Sequence, residues 1–262
     1  MAENDDFLTR QDQHFADADE GHFAWQTRGP GFAAREAAFL AHLLAGTRRP
    51  LLEIGCGEGA NLFHIAHHAS DDGLAIGLDR SAGKLHFAAG AVPAARFLCA
   101  DGNALPFRDA TFETVIIRDV LHHVPAPRET VAEAARVLRP GGGFVLAEPN
   151  RRSPLIRLQM ALVPAERGAA RSDEAWLRRL LEGLPLRDLR FAMEAPFPLD
   201  RVLLHPGFGL PMLGRSRGTL RVLDALEKVA GRLLGRHRWS YVVAHARGRS
   251  TGAGSGHAGM RP

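Results

Sequence analysis

Three glycines at alternate positions follow a short apolar segment that carries a carboxylate. The segment is Leu51-Leu52-Glu53-Ile54, and Gly55, Gly57 and Gly59 come directly after it. Glycine permits a tight turn and a close approach of the backbone to a ligand, because no Cβ stands in the way. The residues from Ala60 to Ala69 predict a helix whose N-terminus faces the turn. The pattern therefore predicts a nucleotide-binding turn between a strand and a helix.

Two aspartates follow further predicted strands. Asp79 comes after the strand Leu74–Leu78, 24 positions beyond Gly55, and Asp101 comes after Arg96–Ala100. A carboxylate at the first position can accept hydrogen bonds from both hydroxyls of a ribose. Aspartate is also a common cap after a strand, so each residue alone leaves both interpretations open.

The remaining strands complete a single sheet. Phe112–Ile117 is a continuous apolar run, as expected for a strand that is covered on both faces. The fifth strand, Phe144–Ala147, ends at Glu148, and two more are predicted at Leu186–Ala195 and Ser240–His245. These elements predict an α/β fold with a seven-stranded sheet.

In this order and at this spacing, the segments resemble those of class I S-adenosylmethionine-dependent methyltransferases with a type 11-like methyltransferase domain. The matching segments are Glu53–Gly59, Gly77–Arg80, Ala100–Phe107, Val120–Val124 and Val137–Gly142. The resemblance covers roughly residues 30 to 150 and a closing strand near the C-terminus. It implies a Rossmann-like, doubly wound, three-layer α/β/α fold with an antiparallel last strand, and S-adenosyl-L-methionine as the cofactor.

The resemblance also implies which residues bind the cofactor. Gly55, Gly57 and Gly59 are expected to contact the methionine moiety and adenosine, and Asp79 the ribose. Asp101 and Gly102 are expected at the adenine, whose amino group is a donor that suits a carboxylate. Glu53 is expected to hold the turn, through water, near the amino group of the cofactor. The predicted cofactor site further includes Cys56, Arg80, Asn103 and Arg118. Cys56 is interpreted as a small filler and not as a nucleophile.

Two adjacent histidines lie just beyond the fourth strand, where the acceptor meets the cofactor in similar enzymes. Methyl transfer requires little from side chains beyond aligning the acceptor, methyl group and sulfur in a pocket that excludes water, because the sulfonium is already activated. A neutral imidazole is suited to removing a proton when the acceptor is a hydroxyl. His123, and second to it His122, are therefore candidates for a catalytic base. A structural role for the pair is the alternative.

The resemblance implies methyl transfer to an oxygen, nitrogen or carbon atom of a small-molecule or lipophilic acceptor. Two other functions are alternatives. A NAD(P)-dependent oxidoreductase would place a pyrophosphate on the turn, and Glu53 and Glu58 would repel it. A non-catalytic scaffold that binds S-adenosylmethionine is the third hypothesis. The intact glycines and both aspartates argue against it.

Composition and charge narrow the class further. The chain has 262 residues, of which 45% are hydrophobic, so it can bury a full core. Its two cysteines form no disulfide framework, no signal peptide is visible near Met1, and no apolar stretch is long enough to span a bilayer, so a cytoplasmic location is predicted. His64, His67 and His68 lack a carboxylate or cysteine at ligand spacing, and no metal site is predicted.

The domain organisation is predicted in three parts. Residues 1–30 form an N-terminal lid segment, residues 31–247 the methyltransferase domain, and residues 248–262 a disordered tail. Phe23 and Trp25 are candidates to cap the acceptor pocket, and packing under the sheet is the alternative. A helix is predicted from about Phe32 to Leu44, with its apolar residues in the core.

An insertion at about residues 196–239 separates the last two strands. Its first half is rich in proline and glycine, and its second half, Thr219–Leu234, predicts an amphipathic, basic helix. Residues 151–262 hold 20 Lys and Arg against 9 Asp and Glu. One interpretation is peripheral membrane contact through residues 215–238. The favoured one is a helix packed on the domain or across a homodimer interface. Nucleic acid is disfavoured, because interleaved aromatics and zinc-ligand spacing are missing.

Overall fold

The computed structural model describes residues 18–68, 73–195, 197–206 and 209–249 of the chain. Residues 250–262 of the tail predicted to be disordered lie outside the described residues, as do residues 1–17 of the predicted lid segment. Within the described ranges, no helix combines the length and the apolar character needed to cross a membrane.

A seven-stranded sheet forms the centre of the fold, in the order β3-β2-β1-β4-β5-β7-β6. The first five strands are parallel, and β7 runs antiparallel to both β5 and β6. The strands are β1 (Leu51–Ile54), β2 (Ala75–Asp79), β3 (Arg96–Cys99), β4 (Phe112–Arg118), β5 (Leu138–Pro149), β6 (Leu186–Glu194) and β7 (Tyr241–Gly248). The predicted sheet with an antiparallel last strand is confirmed.

Nine α-helices surround the sheet in the described part of the chain. They are α1 (Glu20–Arg28), α2 (Phe32–Leu43), α3 (Ala60–His68), α4 (Ala82–Ala91), α5 (Pro127–Val137), α6 (Pro154–Leu162), α7 (Glu174–Leu181), α8 (Leu199–Leu203) and α9 (Arg217–Leu233). One buried cluster joins the sheet to α5 and α7, and a second joins its other face to α1–α4. The molecule is therefore the predicted three-layer α/β/α sandwich.

The fifth strand begins earlier than its apolar run predicts. The predicted start is Phe144, whereas β5 begins at Leu138, which pairs with Phe112 of β4. A register irregularity between Phe112 and Thr114 accommodates the intervening glycines. Backbone pairing thus begins in the glycine-containing segment that precedes the predicted strand.

The insertion contributes α8, a short 3₁₀ segment at Pro211–Arg215 and α9. The predicted amphipathic helix forms, and Ser216 caps it by accepting a hydrogen bond from the backbone of Thr219. One face of α9 packs on the domain: buried Leu223 joins a cluster with Trp25, Phe32 and Leu204, and Glu227 pairs with Arg35 of α2 at 3.0 Å. Apolar side chains on another face are exposed, from Val222 at 57% to Leu233 at 81%. The favoured packing of this helix on the domain is therefore observed for one of its faces.

Candidate functional site

A cavity of about 760 Å³ opens at the carboxyl ends of the parallel strands. Its walls come from the glycine turn after β1, the acidic ends of β2 and β3, and the segment after β4. Helices α1 and α6, the insertion and β7 complete it with His22, Gln26, Ile156, Gln159, Arg201 and Tyr241. In open α/β sheets this edge is where ligands bind. The cavity is therefore the candidate active site.

The glycine turn forms one wall with a backbone that favours glycine. Gly55 and Gly57 have φ values of 74° and 51°. A Cβ on Gly55 would lie 2.3 Å from Cγ2 of Val120, so the fold itself requires this glycine. At Gly57, by contrast, a Cβ would meet no described atom within 4 Å, although the residue lines the cavity. The space beside Gly57 is therefore open for a ligand.

Replacing Gly57 with alanine should weaken ligand binding more than folding. Gly46→Ala is the matched control, because Gly46 has a φ of 74°, a Cβ added to it would meet no described atom within 4 Å, and it has no place on the cavity wall. Both variants bear a left-handed backbone penalty of about 1–2 kcal/mol. We expect similar melting temperatures for the two variants. For S-adenosylmethionine, the cofactor that the sequence resemblance implies, we expect a loss of about tenfold or more in affinity for Gly57→Ala alone. Equal affinities in the two variants would contradict this role.

Asp79 links the turn to the end of β2. Its Oδ2 accepts a hydrogen bond from the backbone N–H of Gly57 at 2.9 Å, and its Oδ1 accepts one from Ser81 at 2.9 Å. An ionised carboxylate has about four lone-pair sites, so both oxygens retain acceptor capacity. Asp79 lines the cavity in this orientation, as the sequence predicts.

The end of β3 forms the next part of the wall. Asp101, Gly102 and Asn103 all line the cavity. Asp101 is exposed, and its Oδ1 accepts a hydrogen bond from the backbone of Asn103 at 2.9 Å. Asn103 in turn accepts a hydrogen bond from the hydroxyl of Thr130 at 2.6 Å. Because Thr130 belongs to α5, this helix fixes Asn103, and Asn103 in turn fixes the carboxylate of Asp101.

Of four other predicted cofactor residues, two line the cavity and two do not. Cys56 and Arg80 line the cavity, and burial raises the pKa of the Cys56 thiol well above its ordinary value, which fits a filler and not a nucleophile. Gly59 does not line it and lies instead against Ala88 and Phe97. Glu53 is also behind the wall, where its Oε1 accepts a hydrogen bond from Asn61 at 2.5 Å.

A buried network connects this region to the insertion. The guanidinium group of Arg118 donates to Asn61 at 3.0 Å and to Glu36 at 2.7 Å, and Arg201 donates to the other oxygen of Glu36 at 2.7 Å. Burial opposes the ionisation of Glu36, but the two guanidinium groups outweigh it and lower its pKa to about 2. Arg118, predicted to bind the cofactor, reaches the cavity wall with its charge committed to this network.

The pKa of Glu53 is raised, whereas that of Glu36 is lowered. Burial raises its pKa to about 7, because the hydrogen bond from Asn61 and the more distant Arg118 compensate incompletely. Among the described residues, its Oε2 has no hydrogen-bond partner. A buried carboxylate with an unsatisfied oxygen beside a ligand cavity suits a cationic ligand group.

His122 lies between two carboxylates and also lines the cavity. Its Nδ1 is 2.7 Å from Oε2 of Glu148, and its Nε2 is 3.5 Å from Oε2 of Glu166. Burial alone would lower the pKa of His122, but the two carboxylates raise it to about 10. Glu148 also accepts hydrogen bonds from the backbone of Val120 and Leu121 and thereby fixes the turn after β4. The two carboxylates therefore favour the imidazolium form of His122 at neutral pH.

His123 is the more accessible of the two histidines. Its side chain is 17% exposed, and its Nε2 lies 3.9 Å from Oε1 of Glu166. The rings of His122 and His123 are 3.8 Å apart at 45°. The two predicted histidines thus share Glu166, a residue of the 3₁₀ segment Pro164–Arg171 that sequence patterns did not single out.

The same three side chains have the spacing of a metal donor set. One donor atom each of His122, His123 and Glu166 lie within 4.8 Å of one another. Both ring nitrogens of His122 face carboxylates, however, which favours the imidazolium, and an imidazolium has no lone pair for a metal. The rejected candidate His64 contacts the carbonyl oxygen of Gln26 at 2.9 Å, and the side chains of His67 and His68 lie outside the described residues.

A further polar group on the wall was missed by the sequence patterns. Asp119 has a φ of 57° directly after β4, and burial raises its pKa. The hydroxyl of Tyr241 donates to Asp119 at 3.0 Å and accepts from Arg201 at 2.9 Å. Tyr241 is the one tyrosine of the chain, and this uniqueness is the signal that could have drawn attention to it.

Helix α1 covers the cavity with residues other than those predicted. His22 and Gln26 line the cavity, one helical turn apart. Phe23 packs instead against the rings of Phe63 and Phe87, and Trp25 stacks on Phe32 at 3.8 Å. The interpretation of Phe23 and Trp25 as caps of the pocket was therefore wrong. Phe23 packs in the cluster under the sheet, as the alternative predicted, whereas Trp25 packs in a separate cluster with α2 and the insertion.

The fold and the acidic, glycine-rich edge of the sheet define a class of protein, the class I S-adenosylmethionine-dependent methyltransferases. Residues 52–146 match the family model described as a methyltransferase domain. The chain therefore contains a methyltransferase domain of this class, whose cofactor is S-adenosylmethionine.

Individual relatives support the same class. An uncharacterized methyltransferase of Mycolicibacterium paratuberculosis is 36% identical over 135 residues, which are 50% of this chain and 51% of the relative. The phthiotriol/phenolphthiotriol dimycocerosates methyltransferase of Mycobacterium tuberculosis is 32% identical over 136 residues, which are 50% of each chain. The chain thus spans about half the length of these curated relatives.

A solved structure shows the fold over more of the chain. The phosphoethanolamine N-methyltransferase 2 of Haemonchus contortus superposes with a TM-score of 0.63 at 18% identity. The match covers 94% of this chain and 60% of that chain. At this identity it supports the fold alone.

Proposed function

We propose that this chain transfers a methyl group from S-adenosylmethionine to a small, lipophilic acceptor. The observation that carries the proposal is the cavity wall on which the glycine turn, Asp79 and Asp101 meet at neighbouring strand ends. Bound S-adenosylmethionine supplies a methyl group that its sulfonium already activates. The residues of the chain then have to bind it, align the acceptor and remove water and protons.

In this proposal the two aspartates bind the adenosine. Asp79 accepts hydrogen bonds from the ribose hydroxyls while it holds Gly57, and Asp101 accepts one from the adenine amino group next to Gly102. The open space at Gly57 leaves room for the methionine moiety. Glu53 acts through Asn61, which lines the cavity, and its negative charge favours the ammonium group of the cofactor.

The raised pKa of Glu53 gives a pH dependence that can be measured. A nearby ammonium group favours the ionised carboxylate, so cofactor binding should release a proton when the pKa in the free protein is about 7. Affinity should therefore rise with pH, by up to about tenfold per unit below pH 7, and level off above it. Titrations between about pH 5.5 and 7.5 keep most of the cofactor amine protonated, since the pKa of an α-amino group is about 7.7–8.0.

Glu53→Gln should flatten this pH curve and lower its plateau. Glu113→Gln is the matched control, because Glu113 pairs with Arg139 and does not line the cavity. An unchanged slope in Glu53→Gln would show that another group releases the proton.

At the acceptor end we assign the base to His123. Glu166 orients its ring, and His122 is a positioning residue that holds Glu166 while it carries its own proton. His123 can then accept the proton of an acceptor hydroxyl. Tyr241, Asp119 and Arg201 provide a polar wall for the rest of the acceptor, and α1 excludes water.

The proposal of a lipophilic acceptor has two supports. One is the relative named for dimycocerosates as its substrates. The other is α9, on which Val222, Leu226, Val229 and Leu233 are between 48% and 81% exposed. Arginines flank this apolar face at positions 215, 217, 221, 232, 236 and 238. We propose that residues 215–238 make a peripheral contact with an anionic membrane surface.

The double variant Val229→Ser and Leu233→Ser should reduce binding to vesicles of phosphatidylcholine and phosphatidylglycerol by about tenfold. The control is Leu74→Ser with Leu189→Ser, which removes two exposed leucines outside α9. Cosedimentation measures both. Unchanged vesicle binding, together with a loss of self-association in analytical ultracentrifugation, would favour a homodimer contact instead.

Transfer to a lipid-like acceptor can be tested without knowing its identity. The protein is incubated with methyl-tritiated S-adenosylmethionine and a total bacterial lipid extract, and the organic phase is counted. We expect label in the organic phase that His123→Ala greatly reduces. Label in the aqueous phase alone would refute the lipophilic acceptor. Binding of NAD in place of S-adenosylmethionine would favour the oxidoreductase.

A further inference from the structure

A second cavity lies on the other side of α6 from the candidate active site. It has a volume of about 780 Å³ and is lined by Arg151, Arg152, Pro154, Arg157, His237 and Arg238. Pro154 and Arg157 of α6 line this cavity, whereas Ile156 and Gln159 of the same helix line the candidate active site. We propose that the second cavity binds a phosphate group, presented by an anionic phospholipid at the membrane surface.

The charge of this cavity supports an anionic ligand. Four guanidinium groups and one imidazole surround it. Asp173 pairs with Arg151 at 2.7 Å and lies 3.8 Å from Arg152. Across the described part of the chain, no ion pair involves Arg157 or Arg238. A guanidinium group presents several donors in a fixed plane, which matches the oxygens of a phosphate.

Buried hydrogen bonds hold the two walls of the cavity together. Asn150 is fully buried, and its amide donates to the carbonyl oxygens of His237 at 3.0 Å and Trp239 at 2.8 Å. Its Oδ1 accepts a hydrogen bond from the backbone of Arg152 at 3.1 Å. The hydroxyls of Ser153 and Ser240 are 2.9 Å apart. Arginines from two distant parts of the sequence are therefore fixed at one place, which lowers the cost of binding an anion.

Apolar side chains on both walls favour a lipid as the source of the phosphate. On α6, Leu158 and Leu162 are 49% and 65% exposed. On the opposite wall, the exposed Leu233 ends α9 just before the 3₁₀ segment Arg236–Arg238. A basic cavity between exposed leucines fits a headgroup at the interface with acyl chains. This choice of source rests on the proposed membrane contact, whereas phosphate binding itself does not.

The test compares two charge reversals in the full chain. Arg157→Glu with Arg238→Glu alters the cavity, and Arg187→Glu with Arg190→Glu makes the same charge change on the exposed strand β6. Cosedimentation is measured with vesicles of phosphatidylcholine alone and with added phosphatidic acid. We expect the cavity variant to lose about tenfold or more of its binding to the anionic vesicles, and the β6 variant about twofold or less.

A second titration identifies the source of the phosphate. Glycerol 3-phosphate is added to the wild type and to both variants without vesicles. One outcome is that the wild type binds glycerol 3-phosphate saturably, the cavity variant alone loses this binding, and the wild type shows no preference for anionic vesicles. That outcome would support the phosphate site but would make a soluble phosphate ester its ligand. Equal losses in both variants, or no response to either probe, would overturn the proposal.

S-adenosylmethionine titration of each variant separates this proposal from the methyltransferase function. Both variants should retain wild-type cofactor affinity, because neither pair of arginines lines the candidate active site. A wild type without cofactor affinity would refute the proposed function and leave the phosphate result unaffected.

Discussion

Asp79→Ala is expected to weaken S-adenosylmethionine binding by about 100-fold or more. The carboxylate lines the cavity, and in the proposed complex it accepts hydrogen bonds from both ribose hydroxyls. Hydrogen bonds to a charged group are each worth about 1.5–3 kcal/mol. The variant also releases the backbone of Gly57, which Asp79 holds at 2.9 Å. Calorimetric titration measures the loss.

Two controls separate binding from folding at this position. Asp79→Asn keeps the shape and one acceptor oxygen, so we expect a smaller loss, about tenfold, with little change in melting temperature. Asp109→Ala removes a carboxylate that is 79% exposed and outside the cavity, and it should bind like the wild type. Wild-type affinity in a folded Asp79→Ala protein would remove Asp79 from the site.

His123→Ala is expected to lower methyl transfer by about 100-fold or more without changing cofactor affinity. A positioned general base contributes about 10²–10⁴-fold to a rate. His123 lines the cavity beside Glu166, and in the proposed complex it faces the acceptor and not the cofactor, so S-adenosylmethionine should bind as before. Single-turnover transfer of tritium into the lipid extract measures the rate, and calorimetry measures the binding.

Variants of the neighbouring residues test the assigned roles. Glu166→Gln keeps the shape of the side chain that orients His123, and we expect a smaller loss of rate than in His123→Ala. His122→Ala leaves Glu148 buried without its imidazolium partner and should lower stability as well as rate. Addition of a chelator should leave the wild type unchanged. Undiminished turnover in His123→Ala would show that the histidine pair is structural.

Sequence reasoning succeeded where chemistry and local periodicity coincide. Asp79 is the last residue of β2, and Asp101 comes two residues after β3. Both strands are short and are followed by turn residues, so their order and the positions of the two carboxylates could be predicted. The glycine turn was predicted for the same reason. Its details were not, because Gly59 packs on Phe97 and Glu53 lies behind Asn61, and both contacts depend on tertiary packing.

The acceptor end could be predicted only in part. His122 and His123 follow a recognisable strand, but their carboxylate partner Glu166 comes from a 3₁₀ segment without a periodic signal. Glu36 meets Arg118 across 82 positions of sequence and Arg201 across 165, and no local pattern predicts such a network. On α1, helical periodicity gives the reason for the error with Phe23 and Trp25, because one face carries His22 and Gln26, whereas Phe23 and Trp25 lie on other sides of the helix and enter two separate buried clusters.

The most direct test of the proposed function is a titration of the wild-type protein with S-adenosylmethionine, S-adenosylhomocysteine and NAD. Calorimetry should give saturable binding of the first two ligands at micromolar concentrations and no binding of NAD. Absence of binding to S-adenosylmethionine by a protein that is folded, as judged by a cooperative melting transition, would contradict the cofactor site and the methyltransferase function that depends on it.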